Sequence, residues 1–272
     1  MKVGVVGHVE WIRFCRVEET PAAGEIAHST EDWEQAGGGG GVAAVQLALL
    51  AEEAHLFTVL GNDELGKASQ AELEQRGVIV HAASAPEPQR WAFTHIDSGG
   101  ERTITTVGRK LRPRGHDDSL PWHELADADA VFFVAGDEDA LRFARRARVL
   151  TATSRELQTL QRGAVELDAL VGSGKDDAER FQPGMIDPAP ALVVSTAGAL
   201  GGWTQPGGPF SAARIPGPVS DAYGAGDSFA AGLTFALGAG LAPADAVGFA
   251  ARCGAAALTG RGVSPQSVQL RE

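Results

Sequence analysis

The chain has 272 residues, of which 44% are hydrophobic and 21% are charged, and its formal net charge is −12. This composition is typical of a globular protein and excludes a disordered chain, and no apolar run is long enough to cross a bilayer, so no membrane partner is expected. The negative charge argues against nucleic acid as a partner, because a phosphate backbone demands clustered lysines and arginines.

The chain opens on an apolar segment, residues 3–6, that is typical of a buried strand. It lacks the long apolar region and cleavage site of a signal peptide, so a cytoplasmic location is expected. The two cysteines, Cys15 and Cys253, lie far apart in sequence and show no spacing typical of a zinc site. This pattern favours reduced thiols over a disulfide or a metal cluster.

Strand and helix patterns alternate through most of the chain. Strands are predicted at 3–6, 55–60, 78–81, 130–134, 148–150, 169–171 and 192–195, and helices at 43–53, 64–76, 137–147, 225–237 and 243–258, with a hairpin around 206–209. Such alternation predicts an α/β fold with a mostly parallel sheet covered by helices on both faces. At this length we expect a single domain over residues 1–272.

Two segments interrupt this alternation, at about 11–28 and 90–107. Both lack helical periodicity and are rich in β-branched and aromatic residues. In the second, 91–96 and 103–107 flank Asp97-Ser-Gly-Gly-Glu-Arg102, which is a hairpin pattern. We expect one small added β-layer, and pairing of its exposed strand edges across a two-fold axis would give a homodimer.

The most distinctive segment is Asp221-Ala-Tyr-Gly-Ala-Gly-Asp-Ser-Phe229, which leads into an apolar run. Its glycines permit positive φ and let a ligand approach the backbone N–H groups. The following helix would present unpaired N–H donors and the positive end of its dipole, which suits a phosphate. Asp227 beside such a site is a natural general base for phosphoryl transfer. The alternative is that Asp221 and Asp227 cap a helix beside a glycine turn.

This segment resembles the C-terminal signature of the ribokinase (PfkB) family of sugar and nucleoside kinases, with Ala222 in place of the usual Thr. Further segments resemble family motifs in the same order: Gly37-Gly38 followed by Ala43-Ala44, Leu60-Gly-Asn-Asp-Glu-Leu-Gly66, Gly100-Glu-Arg-Thr103 and Thr196-Ala-Gly-Ala-Leu-Gly201. The resemblance spans nearly the whole chain. It implies a ribokinase-like three-layer αβα sandwich with a small β-strand lid, and it implies ATP and Mg²⁺ as cofactors.

The resemblance also implies the site residues. Asp227 is the expected catalytic base, and Gly224, Ala225 and Gly226 surround the anion hole for the transferred phosphoryl group. The nucleotide side is expected at Thr196, Gly198, Gly201, Asp221, Gly260 and Gly262. A K⁺ requirement is a further expectation for the loop with the last two glycines. The substrate side is expected at Gly38, Gly39, Glu10, Val42, Asn62 and Asp227.

Three departures from the family pattern concern the substrate and the metal. Val42 stands where the family has an Asn that contacts the sugar, and Ile12 stands where it has an Asp that binds sugar hydroxyls. Glu10 or His8 from the same loop can substitute, although a lone residue of either type is more often a surface or capping residue. Asp176 replaces the Glu of an Asn-x-x-Glu motif, and either holds Mg²⁺ through water or caps the helix that follows.

The expected function is an ATP-dependent phosphotransferase that acts on a hydroxyl of a small carbohydrate or related polyol. Its partners are then ATP and a small-molecule substrate. One alternative is a nucleoside kinase of the same fold. Another is a nucleotide-binding regulatory protein with a decayed sugar site, which the changes at Ile12 and Val42 would explain. The intact Asp227 argues against the regulator, because a binding protein needs no base.

Overall fold

The computed structural model describes residues 1–270. In chain order the strands are β1 (Lys2–Val6), β2 (Glu10–Arg16), β3 (Glu31–Gly37), β4 (Glu53–Gly61), β5 (Val78–Ala85), β6 (Trp91–Ile96), β7 (Arg102–Val107), β8 (Ala130–Phe133), β9 (Val149–Thr153), β10 (Ala169–Ser173), β11 (Val193–Thr196), β12 (Gly202–Gln205) and β13 (Gly208–Phe210). The α-helices are α1 (Gly38–Ala48), α2 (Glu64–Gln75), α3 (Glu138–Ala144), α4 (Leu157–Gly163), α5 (Ala225–Gly238) and α6 (Pro243–Ala257).

The main sheet has the strand order β13-β12-β11-β10-β9-β8-β1-β4-β5. The run from β5 to β11 is parallel throughout, and β12 and β13 add an antiparallel hairpin at one edge. The predicted, mostly parallel α/β sheet is therefore confirmed. Because the strands are parallel, their carboxyl ends share one edge, where ligands of such folds bind.

Both faces of the main sheet are buried. Val5 and Phe132 belong to one hydrophobic cluster, which includes α1, α5 and α6. The next residues along the same strands, Val6 and Phe133, belong to a second cluster, which includes α3 and the 3-10 helix Trp122–Asp127. Side chains of a strand alternate between faces, so two separate clusters demonstrate helices on both sides. The predicted three-layer arrangement is confirmed.

A separate sheet of four strands, in the order β3-β2-β6-β7, forms the small lid layer. The predicted hairpin is present as β6 and β7. The sequence analysis missed β3, which follows the predicted segment 11–28 and pairs antiparallel with β2. Its first five residues are at most partly buried and mostly polar, so it lacks the apolar pattern that marks the other strands.

The predicted helix at 43–53 was misplaced. The helix α1 begins at Gly38 and ends at Ala48, and Glu53 already belongs to β4. The glycine run is thus the first turn of a helix, with φ of +76° at Gly38. Low helix propensity hid this turn from sequence analysis, whereas packing against the sheet overrides propensity here. In the described part of the chain, no helix combines the length and hydropathy needed to span a membrane.

Candidate active site

The helix α5 presents an open N-terminus at the carboxyl edge of the main sheet. Gly224 is its N-cap, with φ of +73°, and no side chain caps the helix. The N–H groups of Ala225, Gly226 and Asp227 lie in the first turn, where no intrahelical acceptor is available. Gly226 is exposed, and a Cβ placed there would meet no atom within 4 Å. This turn can accept an anionic group.

Asp227 lies beside that turn and keeps only partial contact with solvent. Burial raises the pKa of its carboxyl group to about 6, and the guanidinium of Arg102 acts in the opposite direction. A Cβ placed at Gly39 would lie 3.1 Å from Asp227 Oδ1 and 2.9 Å from Val134 Cγ1. A side chain at residue 39 would therefore crowd the carboxylate. The glycine leaves that space for a ligand.

Tyr223 joins this loop to the glycine turn of α1, and sequence analysis missed it. Its phenolic oxygen accepts a hydrogen bond from the backbone N–H of Gly38 at 3.0 Å. The ring is buried and packs edge-on against Phe14 at a centroid distance of 5.0 Å. Tyr223 is the only tyrosine in the sequence and lies inside the most distinctive segment, which was the signal available.

Asp221 holds the signature loop to a second loop rather than capping α5. The side chain is fully buried; Oδ1 accepts from the N–H of Tyr223 at 3.0 Å and Oδ2 from the N–H of Gly262 at 2.7 Å. Burial raises the pKa of Asp221, and the two N–H donors oppose that shift. The expected nucleotide-side residues Asp221 and Gly262 are thus brought together, with the carboxylate fully engaged by backbone.

Glu10 and His8 lie on the other side of Gly39. The carboxylate of Glu10 is buried, and its Oε1 lies 2.6 Å from Arg90 Nε and 3.7 Å from His8 Nε2. Burial raises the pKa of Glu10, whereas the Arg90 charge lowers it. Burial and nearby cations hold the pKa of His8 well below its usual value, so the ring is neutral. Within the described chain, His8 Nδ1 has no hydrogen-bond partner.

The two positions that depart from the family pattern are packed in the apolar core. Val42 is 1% exposed and Ile12 is fully buried. A Cβ placed at Gly224 would lie 2.8 Å from Val42 Cγ1, so Val42 packs directly against the turn that precedes α5. Asn62 differs from both, because its side chain is exposed just beyond the end of β4. Its N–H donates to the carbonyl of Ala85 at 3.0 Å.

The expected nucleotide turn follows β11, which ends at Thr196. Gly198 and Gly201 have φ of +64° and +84°. A Cβ at Gly201 would lie 2.0 Å from the carbonyl oxygen of Phe210, so only glycine fits there. The Cβ position of Gly198 is 3.2 Å from Lys175 Nζ, which places an ammonium group beside this turn.

The loop with Gly260 and Gly262 contacts the lid. A Cβ at Gly260 would lie 2.2 Å from the carbonyl oxygen of Ser264, and one at Gly262 would lie 2.3 Å from Gln35 Oε1. The same Gln35 oxygen accepts from the N–H of Val263 at 2.9 Å. Since Gln35 belongs to β3, the lid and this loop are joined by direct contact.

Arg155 forms ion pairs with two carboxylates, Asp176 and Glu179. Arg155 Nη2 lies 2.5 Å from Asp176 Oδ2 and 2.7 Å from Glu179 Oε1. Asp176 also caps a short 3-10 helix by accepting from the N–H of Ala178 at 2.9 Å. The side chain of Asp176 remains 37% exposed, so its free lone pairs fit a hydrated Mg²⁺, which needs only one or two carboxylates. Glu179 is electrostatically coupled to Asp227, and sequence analysis missed it.

Arg102, at the start of β7, supplies a positive charge from the lid. The turn before it is fastened to the signature loop, because the N–H of Ala222 donates to the carbonyl of Gly100 at 2.9 Å. Arg102 is exposed, yet it lowers the pKa of Asp227. The site therefore combines a carboxylate, an open helix N-terminus and a lid cation.

A protein-family model matches nearly the whole chain. The family model described as "pfkB family carbohydrate kinase" matches residues 1–146 and 138–269. No curated protein matches the chain.

Solved structures resemble the whole chain. A microbiome-derived acarbose kinase is 24% identical, with a TM-score of 0.79 over 99% of this chain and 96% of its own. An adenosine kinase from Sinorhizobium meliloti is 17% identical, with a TM-score of 0.77 over 99% and 97%. A ribokinase from Arabidopsis thaliana, solved with ribose and ATP, is 20% identical, with a TM-score of 0.70 over 96% and 93%. At these identities the likeness shows a shared fold.

Proposed function

The chain belongs to the pfkB family of carbohydrate kinases and is a kinase, and we propose that it transfers the terminal phosphoryl group of ATP to a hydroxyl of a small carbohydrate or related polyol. The observation that carries the proposal is Asp227, whose carboxyl group lies in the first turn of α5 with a pKa raised to about 6. A carboxylate with that pKa is deprotonated at pH 7 and basic enough to accept a proton from an alcohol in the transition state.

The first turn of α5 would supply both the general base and the hydrogen-bond donors that bind the transferred phosphoryl group. Asp227 accepts the proton of the acceptor hydroxyl as the hydroxyl oxygen attacks the terminal phosphorus of ATP, and the bond from that phosphorus to the bridging oxygen breaks to release ADP. The N–H groups of Ala225, Gly226 and Asp227 donate to the oxygens of the transferred group, where negative charge is concentrated. Donors fixed by a helix need no reorganisation during the reaction, and oxygen-to-oxygen transfer leaves no intermediate bound to the protein.

ATP is the proposed donor because the ribokinase of Arabidopsis thaliana, which shares this fold, was solved with ATP. Thr196, Gly198 and Gly201 would form the nucleotide side, and Lys175 Nζ lies close enough to Gly198 to contact a phosphate. Mg²⁺, when bound with the nucleotide, neutralises phosphate charge, and Asp176 and Glu179 would hold it through water. K⁺ dependence, proposed for the loop at 260–262, is tested by replacing K⁺ with choline.

The lid would exclude water that could otherwise accept the phosphoryl group. Its turn is hydrogen-bonded to Ala222, and Arg102 is electrostatically coupled to Asp227. The hydrogen bond joins the lid to the loop that precedes Asp227, and the charge of Arg102 acts on the carboxylate itself. Water exclusion also strengthens each charge interaction within the site, because the local dielectric falls.

Two aromatic rings of the lid, Trp91 and Trp33, favour a carbohydrate over a nucleoside as the acceptor. The guanidinium of Arg13 lies 4.9 Å from the ring centre of Trp91, and that of Arg261 lies 4.1 Å from Trp33. These ring faces are occupied by cations and are not free to stack on a base. Glu10 and the unpartnered Nδ1 of His8 instead offer hydrogen bonds to hydroxyl groups.

The test is ADP release from purified protein with ATP and Mg²⁺ against a panel of sugars, polyols and nucleosides. We expect turnover with at least one sugar or polyol. Turnover with nucleosides alone would instead identify a nucleoside kinase, and no substrate-dependent ADP release would favour a nucleotide-binding regulator.

The role of Asp227 is tested with Asp227→Asn on the substrate so found. General base catalysis contributes on the order of 10²–10⁴ in rate, so we expect at least a 100-fold loss of kcat. The matched control is Asp245→Asn, an exposed aspartate in the first turn of the adjacent helix α6, and it should retain full activity. A loss of less than about tenfold in Asp227→Asn would refute the assignment of the base.

A further inference from the structure

Two histidines and a glutamate converge far from the active site, near the amino-terminal ends of the strands. His55 belongs to β4, His81 to the adjacent strand β5, and Glu124 to the 3-10 helix Trp122–Asp127 that covers them. Each offers one donor atom, and the three donor atoms lie within 4.8 Å of one another. Residues from three separate elements thus meet at one point.

The three donor atoms form a triangle of the size that a small divalent metal ion requires. His55 Nδ1 is 2.9 Å from His81 Nε2 and 3.4 Å from Glu124 Oε2, and His81 Nε2 is 4.0 Å from the same oxygen. The point equidistant from all three lies about 2.0 Å from each, which matches Zn–N and Zn–O bond lengths.

A second carboxylate orients the buried histidine. Glu53 Oε2 lies 3.3 Å from His55 Nε2, the ring nitrogen opposite the proposed ligand atom. Metal-binding histidines commonly donate this second N–H to a carboxylate, which fixes the tautomer and makes the other nitrogen the free electron-pair donor. The side chain of His55 is only 7% exposed, so its ring is held in place by packing as well.

The remaining ligands are accessible from solvent and restricted in their motion. The side chains of His81 and Glu124 are 17% and 30% exposed, so an ion can enter from solvent. The ring of His81 also packs on that of Phe57 at a centroid distance of 4.7 Å, which restricts its motion.

We propose that His55, His81 and Glu124 bind a divalent metal ion of the zinc class. Two imidazole nitrogens and one carboxylate oxygen suit Zn²⁺ and disfavour Mg²⁺ and Ca²⁺, which require mainly oxygen ligands. Water completes the coordination. Because the ligands come from β4, β5 and the covering helix, the ion fastens that helix to the sheet.

This site is separate from the kinase site. His55 lies six residues before Gly61 on β4, which is about 20 Å along an extended strand. Gly61 in turn lies at the active-site edge, because Gln89 hydrogen-bonds both its N–H and the carbonyl of Val9. The ion therefore stabilises the fold and takes no part in phosphoryl transfer, and the proposal stands independently of the proposed function.

Lys2 competes with the ion for the same carboxylate. Its Nζ lies 3.2 Å from Glu124 Oε2. A metal ion bound to Glu124 Oε2 would repel an ammonium group beside the same oxygen, so metal binding displaces the lysine toward solvent. Replacing Lys2 with an uncharged residue should therefore strengthen metal binding.

The test uses the full chain, freed of any affinity tag and stripped of metal by a chelator. Titration with Zn²⁺ should give one bound ion per chain by elemental analysis, and Co²⁺ should give the visible absorption of a four-coordinate site. At free Zn²⁺ about 100-fold above Kd, Tm should rise by about 5 °C.

Variants identify the ligands. His81→Asn and Glu124→Gln should each weaken Zn²⁺ binding at least tenfold, and Glu53→Gln should weaken it about 10–100-fold by releasing the His55 ring. Lys2→Met should strengthen it. The matched control is His28→Ala, an exposed histidine in the loop before β3, which should leave binding unchanged.

The competing explanation is a simple hydrogen bond between the two imidazole rings, which also accounts for their 2.9 Å separation. In that case Zn²⁺ would not bind, or binding would be insensitive to His81→Asn and Glu124→Gln. Either result overturns the proposal. If one substitution unfolds the chain, circular dichroism of the metal-free variants reveals it, and the Co²⁺ spectrum of the other variant decides.

Discussion

Tyr223 and Gly38 are joined by a hydrogen bond of 3.0 Å from the glycine N–H to the phenolic oxygen. Tyr223 precedes the N-cap of α5, and Gly38 opens α1, so the bond connects the turn that would hold the phosphoryl group to the turn expected to hold the acceptor. Gly39 follows directly and lies against the Asp227 carboxylate. The hydrogen bond therefore fixes the position of the one turn relative to the other.

Tyr223→Phe removes this acceptor and keeps the ring. The buried N–H of Gly38 then loses its partner, which costs about 1–3 kcal/mol. We expect Tm to fall by about 2–6 °C and KM for the acceptor to rise, as measured by calorimetry and steady-state kinetics. Tyr223→Leu should be worse, since it also loses the packing on Phe14. Equal Tm and KM in Tyr223→Phe and the wild type would show that the bond is dispensable.

The pH dependence of kcat/KM should report the ionisation of Asp227. The carboxylate is the active form, and its pKa is raised to about 6 by burial. Activity should therefore be constant above pH 7 and fall about tenfold per pH unit well below pH 6. A profile still flat at pH 5 would contradict the role of this group. A titration of the Mg–ATP complex alone over the same pH range distinguishes the ionisation of the nucleotide phosphates from that of Asp227.

Arg102→Ala should shift that profile. Arg102 lowers the pKa of Asp227, so its removal should move the acidic limb to higher pH. The shift should shrink at high salt. Arg109→Ala is the control, since Arg109 is an exposed arginine just after β7 whose partner is Glu87. Equal shifts in the two variants would assign the effect to net charge alone.

Most of the fold was predictable because its signals are local. Apolar runs such as Val3–Val6 and the periodic pattern of α2 give the parallel sheet and its helices directly. The start of α5 was also predictable, because a glycine turn before an apolar run is typical of the beginning of a buried helix. Strand β3 and the start of α1 were not predictable, since a polar strand and a glycine turn depend on tertiary packing.

Within the site, the sequence did not indicate which residues contact one another. The carboxylate of Asp221 was expected near the nucleotide, but its partners are the N–H groups of Tyr223 and Gly262, which are distant in sequence from one another. Glu179 and Arg102 were missed as neighbours of Asp227 for the same reason. Spacing along the chain carries no information on which loops meet at the sheet edge.

Val42→Asn restores the residue type usual in the family, and we expect it to destabilise the fold. Val42 is 1% exposed and lies against Gly224, so the amide would be buried in an apolar contact at a cost of about 1–3 kcal/mol. Tm should fall by about 2–6 °C. Val42→Thr, which is closer in shape, should lose less. An unchanged Tm with faster turnover of a sugar would show instead that position 42 faces the substrate.

The lid sheet offers an edge for self-association, and we propose a homodimer through β7. This edge strand is exposed along its whole length, and Ile104 is 41% exposed. Pairing two copies would satisfy its free backbone groups and cover its apolar side chains. Light scattering should give twice the mass of one chain for the wild type and a single mass for Ile104→Glu. The control is Ile79→Glu, which alters an equally exposed isoleucine on β5, the edge strand of the main sheet. A monomeric wild type, or a dimer broken by Ile79→Glu and not by Ile104→Glu, would exclude the lid as the interface.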